Sequence, residues 1–297
     1  MGVRDFSRQM TDPNLPHLKR RKAAYALPTM FTAGSVFLGF FSIMNSFQAA
    51  IHARLGGRGP NGLFEVAAGA IVFAMVLDFL DGRIARLTNT SSDFGRELDS
   101  LADVIAFGIA TAVLAFAWGV QPAIGSASQP LRDYLQRVGF FIPFLYLICG
   151  AARLARFNIQ KNPVPKNPGR PDRKYFVGLP IPAAAALLAA IVYASGGRPI
   201  QYWPLTVAWL MLLALLSFLM VCTWRYRSFK DIQLQRPRSW LIAIAFGVLI
   251  YFIWAATGIA LPAIFGLYVA SGLVVRVAGA VRRRFRRAHP QPEQQLG

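Results

Sequence analysis

Asp78, Asp81, Asp93, Glu97, Asp99 and Asp103 are six of the thirteen acidic residues in this 297-residue chain, and all fall between positions 78 and 103. Three residues along an α-helix return to within about 60° of the starting direction, and four to within about 40°. Asp78 with Asp81, and Asp99 with Asp103, therefore form two pairs, each on one helix face. Residues 83–94 allow an antiparallel return, so the two faces can oppose one another and offer up to eight carboxylate oxygens. With no His or Cys nearby, such a set suits Mg²⁺ or Mn²⁺ rather than zinc. Two ions about 3.5–4 Å apart fit between the pairs, an arrangement that supports in-line displacement at phosphorus. Gly82 and Gly95 either leave room for a substrate to approach the backbone or simply end and open helices. Arg86 brings a guanidinium to the same mouth, where it can bind a diphosphate with a geometry that Lys does not match, or else serves as a basic anchor. Thr90 with Asp93 reads as a capping pair at the start of the third helix, which leaves Asp93 outside the site. Glu97 points away from the Asp99 and Asp103 face.

The elements that carry these acids belong to a chain that is 55% hydrophobic and has 32 Lys+Arg against 13 Asp+Glu, a net charge of +19. A soluble nucleic-acid binder is excluded, because the apolar residues come in blocks of about twenty separated by short basic segments. Eight blocks approach the length needed to cross a hydrocarbon layer of about 30 Å. They lie near 27–48, 64–82, 97–118, 138–155, 176–196, 203–222, 239–256 and 259–279. The first follows a 26-residue polar tail and reads as a retained span rather than a secretory signal. Cys149 and Cys222 sit inside apolar runs and build neither a disulfide framework nor a metal site. Eight spans put both termini on one side. With that side cytoplasmic, 27 of the 32 basic residues lie inside, leaving only Arg54, Arg58, Arg132, Arg137 and Arg198 outside, as the positive-inside rule requires. The basic runs Lys19–Lys22 and Arg282–Arg287 also attract anionic lipid surfaces. An Asp facing lipid at the middle of a span costs about 2.5–3.5 kcal/mol, so the four paired acids must face the bundle interior, water or a cation.

Together the residues spell Asp78-x2-Asp81-Gly82-x2-Ala85-Arg86-x8-Gly95-x3-Asp99-x3-Asp103. This resembles the signature of the CDP-alcohol phosphotransferases at all eight fixed positions, with every spacing intact. The resemblance implies an all-α polytopic bundle with a six-helix catalytic core over 27–222. The polar tail 1–26 precedes that core, and a two-span hairpin over 223–280 and a basic tail over 281–297 follow it. It further implies a homodimer, two divalent metals, a CDP-linked lipid donor and release of CMP. By the same resemblance Asp78, Asp81 and Asp99 are chiefly metal ligands, while Asp103 lies near the metals and is the base that deprotonates the alcohol. Asp78, Gly82, Ala85, Arg86 and Gly95 would line the nucleotide and diphosphate pocket.

Outside the signature, four stretches resemble the bacterial membrane-embedded phosphatidylserine-forming members of that family: Leu27–Ile43, Glu97–Asp103, Arg153–Asn158 and Phe176–Pro182. That implies CDP-diacylglycerol as donor, L-serine as acceptor and a place in the bacterial inner membrane. Two departures, Thr29 where Asn often follows the Pro and Thr111 where Pro is common, alter local helix geometry without removing a catalytic group. Serine needs a cation and an acceptor near the metals. Arg153 and Arg156, three apart on one face, can meet a carboxylate or the lipid phosphate, and Asn158 can orient the amino acid. Lys174 and Tyr175 are further candidates. Asn45 either lines the cleft or bonds a neighbouring helix backbone. The signature reports donor and reaction type, so glycerol phosphate, inositol phosphate and choline stand as alternative acceptors. A cation-coupled transporter would need midplane acids and broken helices, and neither is evident here.

Overall fold

The computed structural model describes residues 16–54, 62–87, 93–161, 175–222, 225–227 and 260–270. In chain order the elements are α1 (Pro16–Arg54), α2 (Leu63–Leu87) and α3 (Asp93–Asp103), the last running through one π-helical turn (Val104–Ile109) into α4 (Ala110–Gly119). They continue with α5 (Gln129–Lys161), β1 (Tyr175–Val177), α6 (Ile181–Ala194), α7 (Trp203–Val221) and β2 (Arg225–Arg227). A last helix, α8, spans Ala260–Ala270. Among the described residues five stretches are long and apolar enough to cross a membrane: Thr29–Ala53, Leu63–Ile84, Phe94–Gly125, Gln129–Ile159 and Trp203–Val221. The expected helical membrane bundle is therefore present. A short antiparallel ribbon adds to it, with β1 paired to β2 so that Phe176 stands opposite Tyr226.

Two expectations are revised in detail. The first helix begins at Pro16, well before the apolar block at 27. Pro is tolerated in a helix's first turn, and the Lys, Arg and Ala residues that follow are good helix formers. The fifth block, expected as a span over 176–196, is helical only over the 14 residues Ile181–Ala194. Gly178 has φ of +80°, Leu179 precedes a Pro and is pushed away from helical geometry, and Pro180 is the extended N-cap with ψ of 135°, so the chain enters α6 extended, with Pro182 tolerated in the first turn. At about 1.5 Å per residue α6 is about 21 Å long, and it connects the two ends of the bundle: Gly178 before it lies beside Arg156 and the end of α7, and Gly197 after it lies beside Glu65 at the start of α2. It is a core helix, with Ile181, Ala184, Ala185, Leu188, Ala189 and Val192 all buried. The expected span at 239–256, residues 1–15 of the N-terminal tail and the C-terminal tail lie outside the described residues, and α8 is the described part of the block at 259–279.

The helices that carry the acids are held by close approaches. A β-carbon at Gly39 of α1 would stand 2.8 Å from the Cα of Ala106, so only glycine lets α1 lie against the π-turn that follows Asp103. Gly150 of α5 likewise admits the side chain of Ile181, which an added β-carbon would strike. Inside the π-turn the carbonyl of Phe107 accepts a 3.2 Å hydrogen bond from the hydroxyl of Tyr146 on α5, and both side chains are fully buried. Away from the acids, α7 satisfies the end of α4. Thr206 Oγ1 donates to the Gly119 carbonyl at 2.8 Å, where helical carbonyls run out of intrahelical partners, and Trp209 Nε1 adds a bond to the Ala115 carbonyl at 3.1 Å.

Replacing Gly39 by Val should push α1 off the π-turn and destabilise the protein by about 1–3 kcal/mol. The melting temperature in detergent should fall, whereas Gly69→Ala, where nothing lies within 4 Å of the added methyl, should leave it unchanged or raised. Equal melting for both variants would show that the contact does not constrain the fold.

Candidate active site

The last turns of α2 bear Asp78 and Asp81, and α3 bears Asp99 and Asp103. Each pair lies on one helix face by its spacing, and the antiparallel return of the chain sets the faces against each other. Carboxylate oxygens of Asp78, Asp99 and Asp103 lie within 4.8 Å of one another, and all three residues are half-buried. Asp81 stands beside this trio. It is 6% exposed and accepts a 2.6 Å hydrogen bond from Thr32 Oγ1 of α1. One oxygen of Asp103, Oδ1, is buried with no hydrogen-bond partner among the described residues.

Whether these residues fit a divalent cation follows from the charges. Two carboxylates at about 4.8 Å repel by on the order of 3 kcal/mol at an effective dielectric of about 20, and three pairs contribute. A hard cation converts that repulsion into ligation, and an oxygen-only donor set of this kind suits Mg²⁺ or Mn²⁺. The unpartnered oxygen of Asp103 offers a ligand position without breaking another bond. The acid cluster fits the ion.

The other expected site residues divide by position. Gly82 follows Asp81 in α2, and Gly95 sits one turn before Asp99 in α3. Ala85 and Arg86 occupy the final turn of α2, but their side chains lie outside the described residues, as do Lys174 and the side chain of Tyr175. Arg83, a neighbour that the sequence did not single out, lies over the ring of Phe79 at 5.6 Å. On α5 the three polar candidates part company. Arg153 is 7% exposed and lies close enough to Asp103 for their charges to interact. Arg156 donates through Nη1 to the Val221 carbonyl at 2.9 Å, tying α5 to the end of α7. Asn158 donates through Nδ2 to Ser100 Oγ at 2.9 Å, which fixes α5 beside Asp99. Asn45 donates to the carbonyl of Phe41 at 2.8 Å, within its own helix rather than to a neighbouring one. The residue that sequence reasoning missed is Thr32. Its signal was the helical recurrence of buried polar side chains in α1, at Thr32, Ser35, Ser42, Asn45 and Ser46.

A helical membrane bundle with paired acids at one end of α2 and α3 defines a class of phosphoryl-transfer enzyme, and comparison with known proteins agrees. The family model described as CDP-alcohol phosphatidyltransferase matches residues 25–277, and the chain belongs to that family. Among curated relatives, a protein of Helicobacter pylori named CDP-diacylglycerol--serine O-phosphatidyltransferase is 36% identical over 252 residues, covering 84% of this chain and 90% of the relative. A Bacillus subtilis protein of the same name is 31% identical over 204 residues, 69% of this chain and 91% of the relative. A Saccharomyces cerevisiae protein, again of that name, is 39% identical over 157 residues, 53% of this chain and 50% of the relative.

Removing the Thr32 hydroxyl should loosen Asp81. Thr32→Val is expected to raise the half-saturating Mn²⁺ concentration about tenfold, the usual scale for loss of a group that orients a ligand, as read by electron paramagnetic resonance of bound Mn²⁺. Thr32→Ser should keep the wild-type value, and identical binding by both variants would contradict the role.

Proposed function

We propose that this chain is a phosphatidylserine synthase, transferring the phosphatidyl group from CDP-diacylglycerol to L-serine with release of CMP. The observation that carries the reaction type is the convergence of Asp78, Asp99 and Asp103. The acceptor is supported by the names of the relatives and by a buried guanidinium at Arg153, suited to an acceptor bearing a carboxylate. Asp78, Asp81, Asp99 and Asp103 would hold two divalent cations, Mg²⁺ or Mn²⁺, which when bound would supply charge neutralisation for the diphosphate of the donor.

The remaining work falls to the chain's own residues. Gly82, Ala85 and Gly95 leave room for the nucleotide, and Arg86 pairs with the diphosphate as a planar, bidentate donor. Thr32 keeps the Asp81 carboxylate turned in its working orientation. Asp103 accepts the proton of the serine hydroxyl through whichever carboxylate oxygen is not committed to a cation, acting as general base. The serine oxygen bonds to the phosphorus that carries diacylglycerol while the bond from that phosphorus to the bridging oxygen breaks in line, and CMP departs with the electron pair. Arg156 and Asn158 hold α5 against α7 and α3 so that Arg153 keeps its place at the site.

In the membrane, the acid end faces the cytoplasm, both termini are cytoplasmic, and the basic connections bind anionic headgroups. The host membrane is the bacterial inner membrane and the assembly a homodimer. Residues 27–222 form the catalytic core, and the hairpin over 223–280 is appended to it.

The direct test is CMP release by purified protein given CDP-diacylglycerol, Mn²⁺ and a panel of alcohols. Release should require L-serine and stop with EDTA; release with glycerol phosphate, inositol phosphate or choline instead would reassign the acceptor. Asp103→Asn should lower turnover at least 10²-fold, the lower range of general-base contributions, with the KM for CDP-diacylglycerol changed only a few-fold. Near-normal turnover would end the assignment of Asp103 as base.

A further inference from the structure

Two buried polar atoms at the acid end of the bundle lack hydrogen-bond partners among the described residues: Oδ1 of Asp103 and Nε of Arg153. Their side chains lie close enough for the charges to interact. The Asp103 oxygen already has a role as base or ligand, but the guanidinium nitrogen has none. A buried donor without an acceptor is costly, and in a folded protein it points to a ligand that completes it.

A second group lies within electrostatic range of the same guanidinium, from a distant part of the chain. Tyr268 of α8 is half-buried against the apolar core, with its phenol in the neighbourhood of Arg153. The helix that carries it is seated in the bundle. Leu261 and Val269 are buried, and the Cα of Gly266 lies against α6, where an added β-carbon would touch Leu187 at 4.0 Å. Arg156, the other cation on this face of α5, is engaged by the Val221 carbonyl.

We propose that Arg153 and Tyr268 together form the seat for the acceptor's carboxylate, so that α8, from beyond the six-helix core, completes the acceptor site. The proposal rests on the reading of the acceptor as an amino acid. In a β-hydroxy amino acid only the α and β carbons separate the hydroxyl-bearing oxygen from the carboxylate. A molecule whose hydroxyl meets Asp103 therefore carries its carboxylate only a short way from that oxygen, in the neighbourhood where Arg153 lies. Arg153 supplies charge and Tyr268 a hydroxyl donor, a combination stronger than either alone. An alcohol without a carboxylate would leave the guanidinium buried and unpaired, which is how a polar site rejects an analogue lacking the matching group.

Steady-state kinetics in mixed micelles with CDP-diacylglycerol and Mn²⁺ test this. Tyr268→Phe, which keeps the ring that packs, should raise the KM for L-serine about tenfold, the loss expected for one hydrogen bond to a charged group. The KM for CDP-diacylglycerol should stay within about twofold, and the melting temperature should not change. Arg153→Gln should in addition abolish the preference for L-serine over L-serine methyl ester, which has no carboxylate charge. An unchanged serine KM in Tyr268→Phe would overturn the proposal. A rise in the KM for CDP-diacylglycerol alone would also overturn it, because the pair would then hold the lipid phosphate. So would equal rises for both substrates with a lowered melting temperature, because Tyr268 would then matter only for packing. If wild-type protein released CMP with an uncharged alcohol and not with serine, the functional reading itself would have failed, a result visible before any variant is made.

Discussion

Carboxylates repel one another, and lipid repels them all. Gathering Asp78, Asp81, Asp99 and Asp103 at one end of a bundle whose outer surface is apolar is tolerable only where the protein supplies donors and the site takes up cations. Most local features of the bundle respond to that constraint. Thr32 crosses from α1 to hold Asp81. Asn158 crosses from α5 to the serine beside Asp99, and Arg153 brings a buried positive charge within electrostatic range of Asp103. The acids sit on two adjacent helices, yet α1 and α5 supply what makes their proximity possible.

Packing serves the same end. The π-turn after Asp103 adds a residue to the helical circuit and swings the following segment, and π-turns recur at functional sites for that reason. Its widened backbone is gripped on one side by Gly39, which allows α1 to touch it, and on the other by the hydroxyl of Tyr146. Asp103 is thus the last residue of a regular helix whose continuation is clamped, and a clamped carboxylate can hold the geometry that proton transfer needs. At the far end of the third helix, Thr206 and Trp209 bind the carbonyls of α4, so the whole segment is fixed at both ends.

What could be read without coordinates was whatever depends on helical periodicity. The i, i+3 and i, i+4 spacings placed the acids on facing surfaces, and Asp78, Asp99 and Asp103 do converge. The apolar blocks located the long helices. For α6 block-averaged apolarity overstated the helix, because it hides punctuation: Gly178 and Pro180 delay its start to Ile181, and nothing in the mean hydropathy of 176–196 reports them. Polar residues were harder still. Arg153, Arg156 and Asn158 form one group in sequence, but their partners, Asp103, Val221 and Ser100, come from different elements, so their roles differ. Thr32 left a periodic trace in α1 that could have been read. Tyr268 left none, since its nearness to Arg153 depends on how a helix over a hundred residues later docks.

The proposed chemistry depends on the acid cluster being a cation site and not merely a polar helix end. Thermal unfolding in detergent, with and without millimolar Mn²⁺, for wild-type protein and Asp99→Asn tests it most directly. Mn²⁺ should raise the wild-type melting temperature, as any ligand of the native state does. Asp99→Asn should melt higher than wild type without the ion, because a repelling charge is gone, and should lose most of the Mn²⁺-induced rise. A wild-type protein indifferent to Mn²⁺, or an Asp99→Asn protein less stable than wild type in EDTA and still stabilised by the ion, would contradict the claim.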